Sequence, residues 1–448
     1  MPTATVPDVH AFADWIGEID EHAAHHLRLL DEAERALETP AAGATAGRIA
    51  LAAKLERWRY QHLHEHAGRL TARNEALVDA LDSLANRLAA RPARPPRAVR
   101  HAVRDAGYET GTIADALEAL DRGMPLDELA RWAGALTRGH FCVPAAEGGV
   151  RAGRRRMLLY APLYVASDCV NYCTYCGFRY PRDIPRKQLS VAEAVEEARV
   201  LHGRGFRHVL VVGGDFPSRT TTAYYREILE SLGELNLQLS IEIAAQSTDA
   251  YAALVQAGAC TLTLYQETYD EQLYANYHVR GPKASYHWRL EAHDRAAEAG
   301  MPQLGLGILL GLADPRADLR AMLRHAAYLA ERFPGRTLAF SLPRIREAPP
   351  EFRIPFAVSD EELIRLYCIL RIAFPRAELV MSTRERAPLR NRLAGICITQ
   401  MSAGSSTTPG GYLATDEKLG EQFPVADHRS PAEVARWLDD QGFHVAWT

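Results

Sequence analysis

The chain has 448 residues, 47% of them hydrophobic and 24% charged, with 31 glycines and 25 prolines. That length allows two or three domains, or one barrel with additions, and the ordinary composition excludes a disordered or fibrous chain. Against 52 basic side chains stand 56 acidic ones, a formal charge of −4, so the basic surface a nucleic-acid partner needs is not expected.

The first twenty residues, MPTATVPDVHAFADWIGEID, have no basic start followed by an apolar run, and a cytoplasmic location is expected. Residues 1–96 read as an all-α extension. The first 100 residues hold 23 alanines and four glycines, with leucines at helical spacing. Two long helices are expected, at 8–37 and 47–90, broken by TPAAGATAG at 39–47 and ended by the proline-rich RPARPPR at 91–97. Seven of the 17 histidines lie here, and His22/His26 and His62/His66 have the i,i+4 spacing of one helix face. Without an accompanying carboxylate motif they read as solvated residues rather than a metal site. This extension is expected to cap the barrel, to self-associate, or to dock a pathway enzyme. A helical adaptor follows at 97–150, through ADALEALDRG and the proline-started PLDELARWAGALTRG.

From 151 to 448 the character changes. Strand-like runs at 157–165, 207–214, 237–244, 260–267, 303–311, 337–343, 378–383 and 397–402 alternate with amphipathic helices. Eight such units in about 250 residues match a TIM-type (β/α)8 barrel, with a doubly wound open sheet as the alternative. A barrel places function at the C-terminal ends of its strands. The longest apolar stretch, MLLYAPLYVA at 157–166, is far shorter than the ~18 residues of a membrane span.

Three of the seven cysteines fall within eight residues. In SDCVNYCTYCGFRY, Cys169, Cys173 and Cys176 form C-x3-C-x2-C just after the first strand, so one loop can wrap three thiolates around a compact centre. Soft thiolates suit zinc or iron–sulfur, and a closed zinc site lacks a fourth ligand in the loop. Cys260, Cys368 and Cys397 are scattered and read as small core residues.

This spacing, with aromatic Tyr175 before the last cysteine, resembles the radical S-adenosylmethionine superfamily. The resemblance implies a [4Fe–4S] cluster whose open iron binds S-adenosylmethionine, and an electron donor such as flavodoxin or ferredoxin. VVGGD at 211–215 is similar to the family's GGE turn; Gly213 and Gly214 would let the cofactor's amino group approach the backbone, and Asp215 stands where Glu is usual.

The segments APLYVASDCVNYCTYCGFR, LYQETYDEQLY, HVRGPKASYHWRL, SLPRIR, STRE and MSAGSSTTPGGY resemble the aromatic amino-acid lyase branch. That branch includes the tyrosine lyases of the thiamine pathway and of hydrogenase maturation, and a tryptophan lyase. The resemblance implies that Gln266 and Glu267 face the cofactor's ribose or the substrate's amine, and that Arg289 pairs with the cofactor's carboxylate. Arg344 is the first choice to clamp the substrate's carboxylate, with Arg346 and Arg384 as the others. Tyr164 either touches the substrate or packs in the core; Ser402, Ser405 and Ser406 are weaker candidates for lining the same mouth. Tyr164 and Arg344 are thus the catalytic candidates. The expected reaction cleaves the Cα–Cβ bond of tyrosine to 2-iminoacetate and p-cresol. Formation of 3-methylindole-2-carboxylate from tryptophan is the alternative, and an iron–sulfur scaffold or electron-transfer protein the alternative of another class. No cysteine follows Cys397, so a second, C-terminal cluster is not expected.

Overall fold

The structure, a computed structural model, describes residues 9–13, 16, 23–39, 45–65, 72–91, 111–144, 149, 152–413 and 420–448. Eight parallel strands close into a barrel: β1 (Arg155–Ala166), β2 (His208–Gly213), β3 (Gln238–Glu242), β4 (Ala259–Thr263), β5 (Gln303–Gly307), β6 (Thr337–Ser341), β7 (Glu378–Met381) and β8 (Gln400–Ser402). Closure comes from β1, which pairs with β8 through Leu158–Tyr160 and with β2 through Ala161–Ala166. The open-sheet alternative is therefore excluded. A strand with no sequence expectation, β9 (Phe443–Ala446), pairs with Arg155–Leu158 at the barrel's N-terminal end.

The period-2 pattern of β1 decides what each layer holds. Leu159, Ala161, Leu163 and Val165 face the surrounding helices in the main core, whereas Tyr160 and Tyr164 point inward with Leu210 and Val212. The barrel interior also holds polar pairs: His208 Nε2 lies 2.7 Å from Ser240 Oγ, and Thr261 donates to Gln303 at 3.1 Å. Only about 30 Å³ remains open there, so the floor is closed and ligands must enter at the C-terminal mouth.

Helices α1 (Ala23–Glu38), α2 (Ala46–Glu65) and α3 (Ala72–Leu88) build a separate core around Leu30, Leu55, Trp58, Leu81 and Leu88. The single helix expected over 47–90 is thus two, with Gly68, a poor helix former, in the sequence between them. His22 and His66 lie outside the described residues, while His26 stacks on Trp58 at 4.3 Å. Helices α4 (Thr112–Asp121) and α5 (Leu126–Phe141) pack into the barrel's own core through Ile113, Leu117, Leu120 and Leu129.

Around the barrel run α6 (Val191–Gly203), α7 (Thr222–Gly233), α8 (Thr248–Gln256), α9 (Glu271–Tyr277), α10 (Tyr286–Leu290), α11 (Ala292–Glu298), α12 (Pro315–Arg332), α13 (Asp360–Ala373), α14 (Ala387–Ile396) and α15 (Pro431–Asp440). Among the described residues, no helix is long and apolar enough to cross a membrane.

Candidate active site at the barrel mouth

The cysteine loop leaves β1 and is tied down on two sides. Tyr172 N–H donates to Arg280 O at 2.9 Å and Thr174 N–H to Tyr277 O at 3.0 Å, which pairs the loop with the segment after α9. Asn171 is the hub. Its Nδ2 donates to Asp215 at 2.8 Å, and its Oδ1 accepts the Lys283 N–H at 2.9 Å. Gly281, at φ 99°, sits where a side chain would collide with Asn171. A Cβ on Gly214 would overlap the Asp168 carbonyl, and one on Gly213 the Tyr225 hydroxyl. The GGD glycines therefore admit neighbouring protein as well as a ligand.

All three thiols line a cavity of about 460 Å³. Burial, then proximity to Cys176, pushes the Cys169 thiol up to about 11; burial likewise raises Cys173, against the pull of Lys283. Cys169 and Cys173 are thus poor free thiolates, and three crowded thiols fit a cationic iron–sulfur cluster, which supplies the missing charge compensation. Among the described residues, no three His, Cys, Asp or Glu side chains converge on a single-ion site.

Opposite the loop, Glu267 anchors the cationic side. It is one of three non-glycine residues with positive φ, at 73°, among the described residues, and its carbonyl accepts the Leu309 N–H at 2.8 Å. Such backbone costs about 1–3 kcal/mol and persists where the surroundings over-determine it. Lys283 Nζ lies 2.6 Å from Glu267 Oε1 and Arg289 3.5 Å from it, while Arg289 Nε donates to Tyr265 O at 2.7 Å. Burial alone would raise the Glu267 carboxyl, but Lys283 and Arg289 outweigh it and hold the group below its ordinary value. Gln266, by contrast, is buried with its side chain 3.5 Å from Tyr286 O and lines neither cavity.

A second cavity, of about 430 Å³, adjoins the first and shares Cys176, Glu242, Tyr265, Glu267, Lys283 and Gln422 with it. Tyr175 belongs to this second wall, its hydroxyl 2.8 Å from His278 Nε2. His278 Nδ1 is 2.9 Å from Tyr274 O, and burial with Lys283 and Arg289 nearby keeps the ring neutral. This network assigns the proton to Nδ1 and makes Tyr175 the donor to Nε2. Tyr164 donates its hydroxyl to Gln422 at 2.6 Å, just behind the wall.

The three candidate arginines all line this cavity, in different states. Arg344 is committed to protein: Nε and one terminal nitrogen reach Glu385 at 2.9 and 2.6 Å, with Asp360 and Val358 O each at 2.7 Å. Arg346 shares Glu385 at 3.2 Å. Arg384 has no ion pair with a described residue and stacks its guanidinium over Phe423 at 3.3 Å. The fork of the first-choice clamp, Arg344, is thus filled by the chain's own carboxylates, and of the three candidates Arg384 is the one without an ion pair to a described residue. Ser402 is buried under the mouth, accepting the Thr383 N–H at 3.1 Å, and lines neither cavity; nor do Ser405 and Ser406.

Sequence reasoning missed Asn171, Glu242, Lys283 and Gln422. Glu242 carried a readable signal, a lone acid within the strand-like run LQLSIEIA. Gln422 carried none, since only folding brings the 420–424 loop onto the cysteine loop, where Gln422 O accepts the Gly177 N–H at 3.2 Å.

Comparison with known proteins agrees with this geometry. The family model "Radical SAM superfamily" matches residues 163–326, and "Biotin and Thiamin Synthesis associated domain" matches 341–444. The chain is 35% identical to 2-iminoacetate synthase of Escherichia coli (strain K12) over 323 residues, 72% of this chain and 82% of that one. A crystal structure of HydG, a maturase of the [FeFe]-hydrogenase, is similar with a TM-score of 0.66 at 28% identity, covering 94% of this chain and 80% of that one. The HydG of Carboxydothermus hydrogenoformans gives 0.67 at 28% identity, over 88% and 84%. With three cysteines after β1 of a closed barrel and these relatives, the chain belongs to the radical S-adenosylmethionine superfamily and is a lyase whose cofactors are a [4Fe–4S] cluster and S-adenosylmethionine.

Proposed function

We propose that the chain cleaves the Cα–Cβ bond of tyrosine, giving 2-iminoacetate and p-cresol. The observation that carries this reading is the second cavity, which shares a wall with the cysteine-lined one and presents Arg384 without a carboxylate partner. Its volume lies within the roughly 300–1,000 Å³ of small-molecule sites. Similarity to 2-iminoacetate synthase supports the product class.

Cys169, Cys173 and Cys176 would hold the cluster, with the Gly213–Asp215 turn and Arg289 disposed around the first cavity to take the cofactor's amino and carboxylate ends. When bound, these groups supply one-electron chemistry that removes a hydrogen atom from the substrate. The chain's own residues set which hydrogen is presented. Arg384 would hold the substrate's carboxylate, Tyr175 and Leu309 would pack against its ring, and Gln422 would keep the 420–424 loop over both cavities to exclude water.

Anaerobic reconstitution with iron, sulfide, S-adenosylmethionine, a reductant and tyrosine tests this: 5′-deoxyadenosine and p-cresol are expected. An indolic acid from tryptophan, with no p-cresol from tyrosine, would replace the substrate assignment. Cys173→Ala is expected to lose both the cluster absorbance and turnover, and turnover surviving that change would sink the cysteine assignment.

A further inference from the structure

Among the described residues, most of the charge at the mouth that is not exposed to solvent is matched within the protein. Glu267 is paired with Lys283 and Arg289, Arg344 and Arg346 with Glu385, and Asp215 with Asn171. Among the described residues, two groups that are not exposed have no such partner: the carboxyl of Glu242, at the end of β3 on the wall both cavities share, and the guanidinium of Arg384, just past β7 in the second cavity. No ion pair joins them to each other, although each acts on the other electrostatically. One carboxyl and one cation facing the same space complement a zwitterion, whose carboxylate takes Arg384 and whose ammonium group takes Glu242.

Resting on the amino-acid reading above, we propose that Glu242 binds the substrate's amino group and accepts one of its protons, so that nitrogen is presented as a neutral amine. The step is a proton transfer alone: an N–H bond of the ammonium breaks, an O–H bond forms on Glu242, and the electron pair stays on nitrogen as its lone pair. In the cleavage proposed above the hydrogen atom is taken from the amino nitrogen, and its removal needs that lone pair, since the radical left behind is then neutral and stabilised by it. The enclosed mouth favours the transfer, because it turns two buried charges into a neutral hydrogen-bonded pair.

Position fits the role. Glu242 lines both cavities, so a nitrogen held there lies between the cofactor space and the substrate space. The charged and titratable groups around it are Arg384 after β7, Glu267 after β4, Lys283 and Arg289 from the segment between α9 and α11, and Tyr160, Tyr164 and Tyr265, whose own ionisation Glu242 opposes. Burial pushes its carboxyl up to about 7, with Glu267 adding and Arg384 opposing. That makes it a stronger base than an ordinary carboxylate, as a proton acceptor near neutral pH requires.

The test uses reconstituted holoenzyme, with Glu242→Gln and Glu242→Asp beside the wild type, and tyrosine and tryptophan run in parallel. For whichever amino acid turns over, wild-type kcat/KM is expected to rise with pH through an acid limb near 7. In Glu242→Gln, turnover at pH 7 falls about 100-fold or more, the limb near 7 vanishes, and activity recovers towards the amine's own ionisation; Glu242→Asp retains the limb. Binding provides the second readout. The Gln variant should bind the amino acid at least about 30-fold more weakly, yet bind its deaminated analogue, 3-(4-hydroxyphenyl)propanoate for tyrosine, as the wild type does. An unchanged limb, or equal weakening for amino acid and analogue, would overturn the proposal. Turnover of tryptophan but not tyrosine would overturn only the tyrosine reading, because the amine proton is common to both.

Discussion

At the residue scale, the mouth distinguishes arginines that hold the protein together from one that is open to a ligand. Arg344 and Glu385 are 6% and 3% exposed and bound through two nitrogens, so Arg344→Met leaves Glu385 buried without its main partner. Losing one partner of a buried pair costs about 3–5 kcal/mol. The expected outcome is a large drop in the denaturant midpoint for Arg344→Met. Arg384→Gln, which breaks no ion pair with a described residue, should leave that midpoint within about 1 kcal/mol. Its effect should appear instead as a KM for the amino acid raised at least about 30-fold, with cofactor binding unchanged. If the two variants exchanged these phenotypes, Arg344 would be the clamp after all.

At the element scale, the N-terminal helices reach the candidate site through α10, the five-residue helix that carries Arg289, which lines the first cavity. Arg59 of α2 makes a buried ion pair with Glu291, Glu56 accepts the Thr248 N–H at 3.0 Å, and Val78 of α3 packs on Trp288. Trp288 in turn donates to Ala245 O at 3.2 Å and lies under the Arg295 guanidinium at 3.4 Å. A helix this short has little stability of its own, so its neighbours set its position. Arg59→Ala is therefore expected to lower the melting temperature and to weaken S-adenosylmethionine binding about 10-fold, within the range seen when a positioning contact is lost. Unchanged cofactor affinity in a destabilised variant would show that α2 supports the fold without positioning Arg289.

At the scale of the whole molecule, the C-terminal segment locks the barrel and closes its mouth. Asp427 pairs with fully buried Arg390 and with Arg429 at 2.7 Å, and Ala426 and Asp427 both donate their N–H to Thr383 O. Burial would raise the Asp427 carboxyl, but Arg429 and Arg390 hold it below its ordinary value. Its stabilisation is therefore present above the unfolded carboxylate pKa and lost as pH falls through the lower folded value. Asp427→Ala should cost about 3–5 kcal/mol in chemical denaturation near pH 7, and a loss under 1 kcal/mol would refute the anchor. Since the same segment carries Gln422, the variant is also expected to lose cluster iron faster in air, followed by visible absorbance.

Much of this was legible in the chain because it depends on local chemistry. Strand runs of branched and aromatic residues, helix starts capped by Ser190, Thr221, Ser247, Ser359 and Ser430, and three cysteines in one loop are all short-range patterns. They determined the barrel, its order and the loop that gathers three cysteines at its mouth. Only the tertiary structure decided which groups remain open at the mouth. Glu385 fills the fork of Arg344 from 41 residues away, and Asn171 joins two loops that lie 44 and 112 residues away. Spacing says where a side chain emerges; whether it is free to meet a ligand depends on partners that chain closure brings to it.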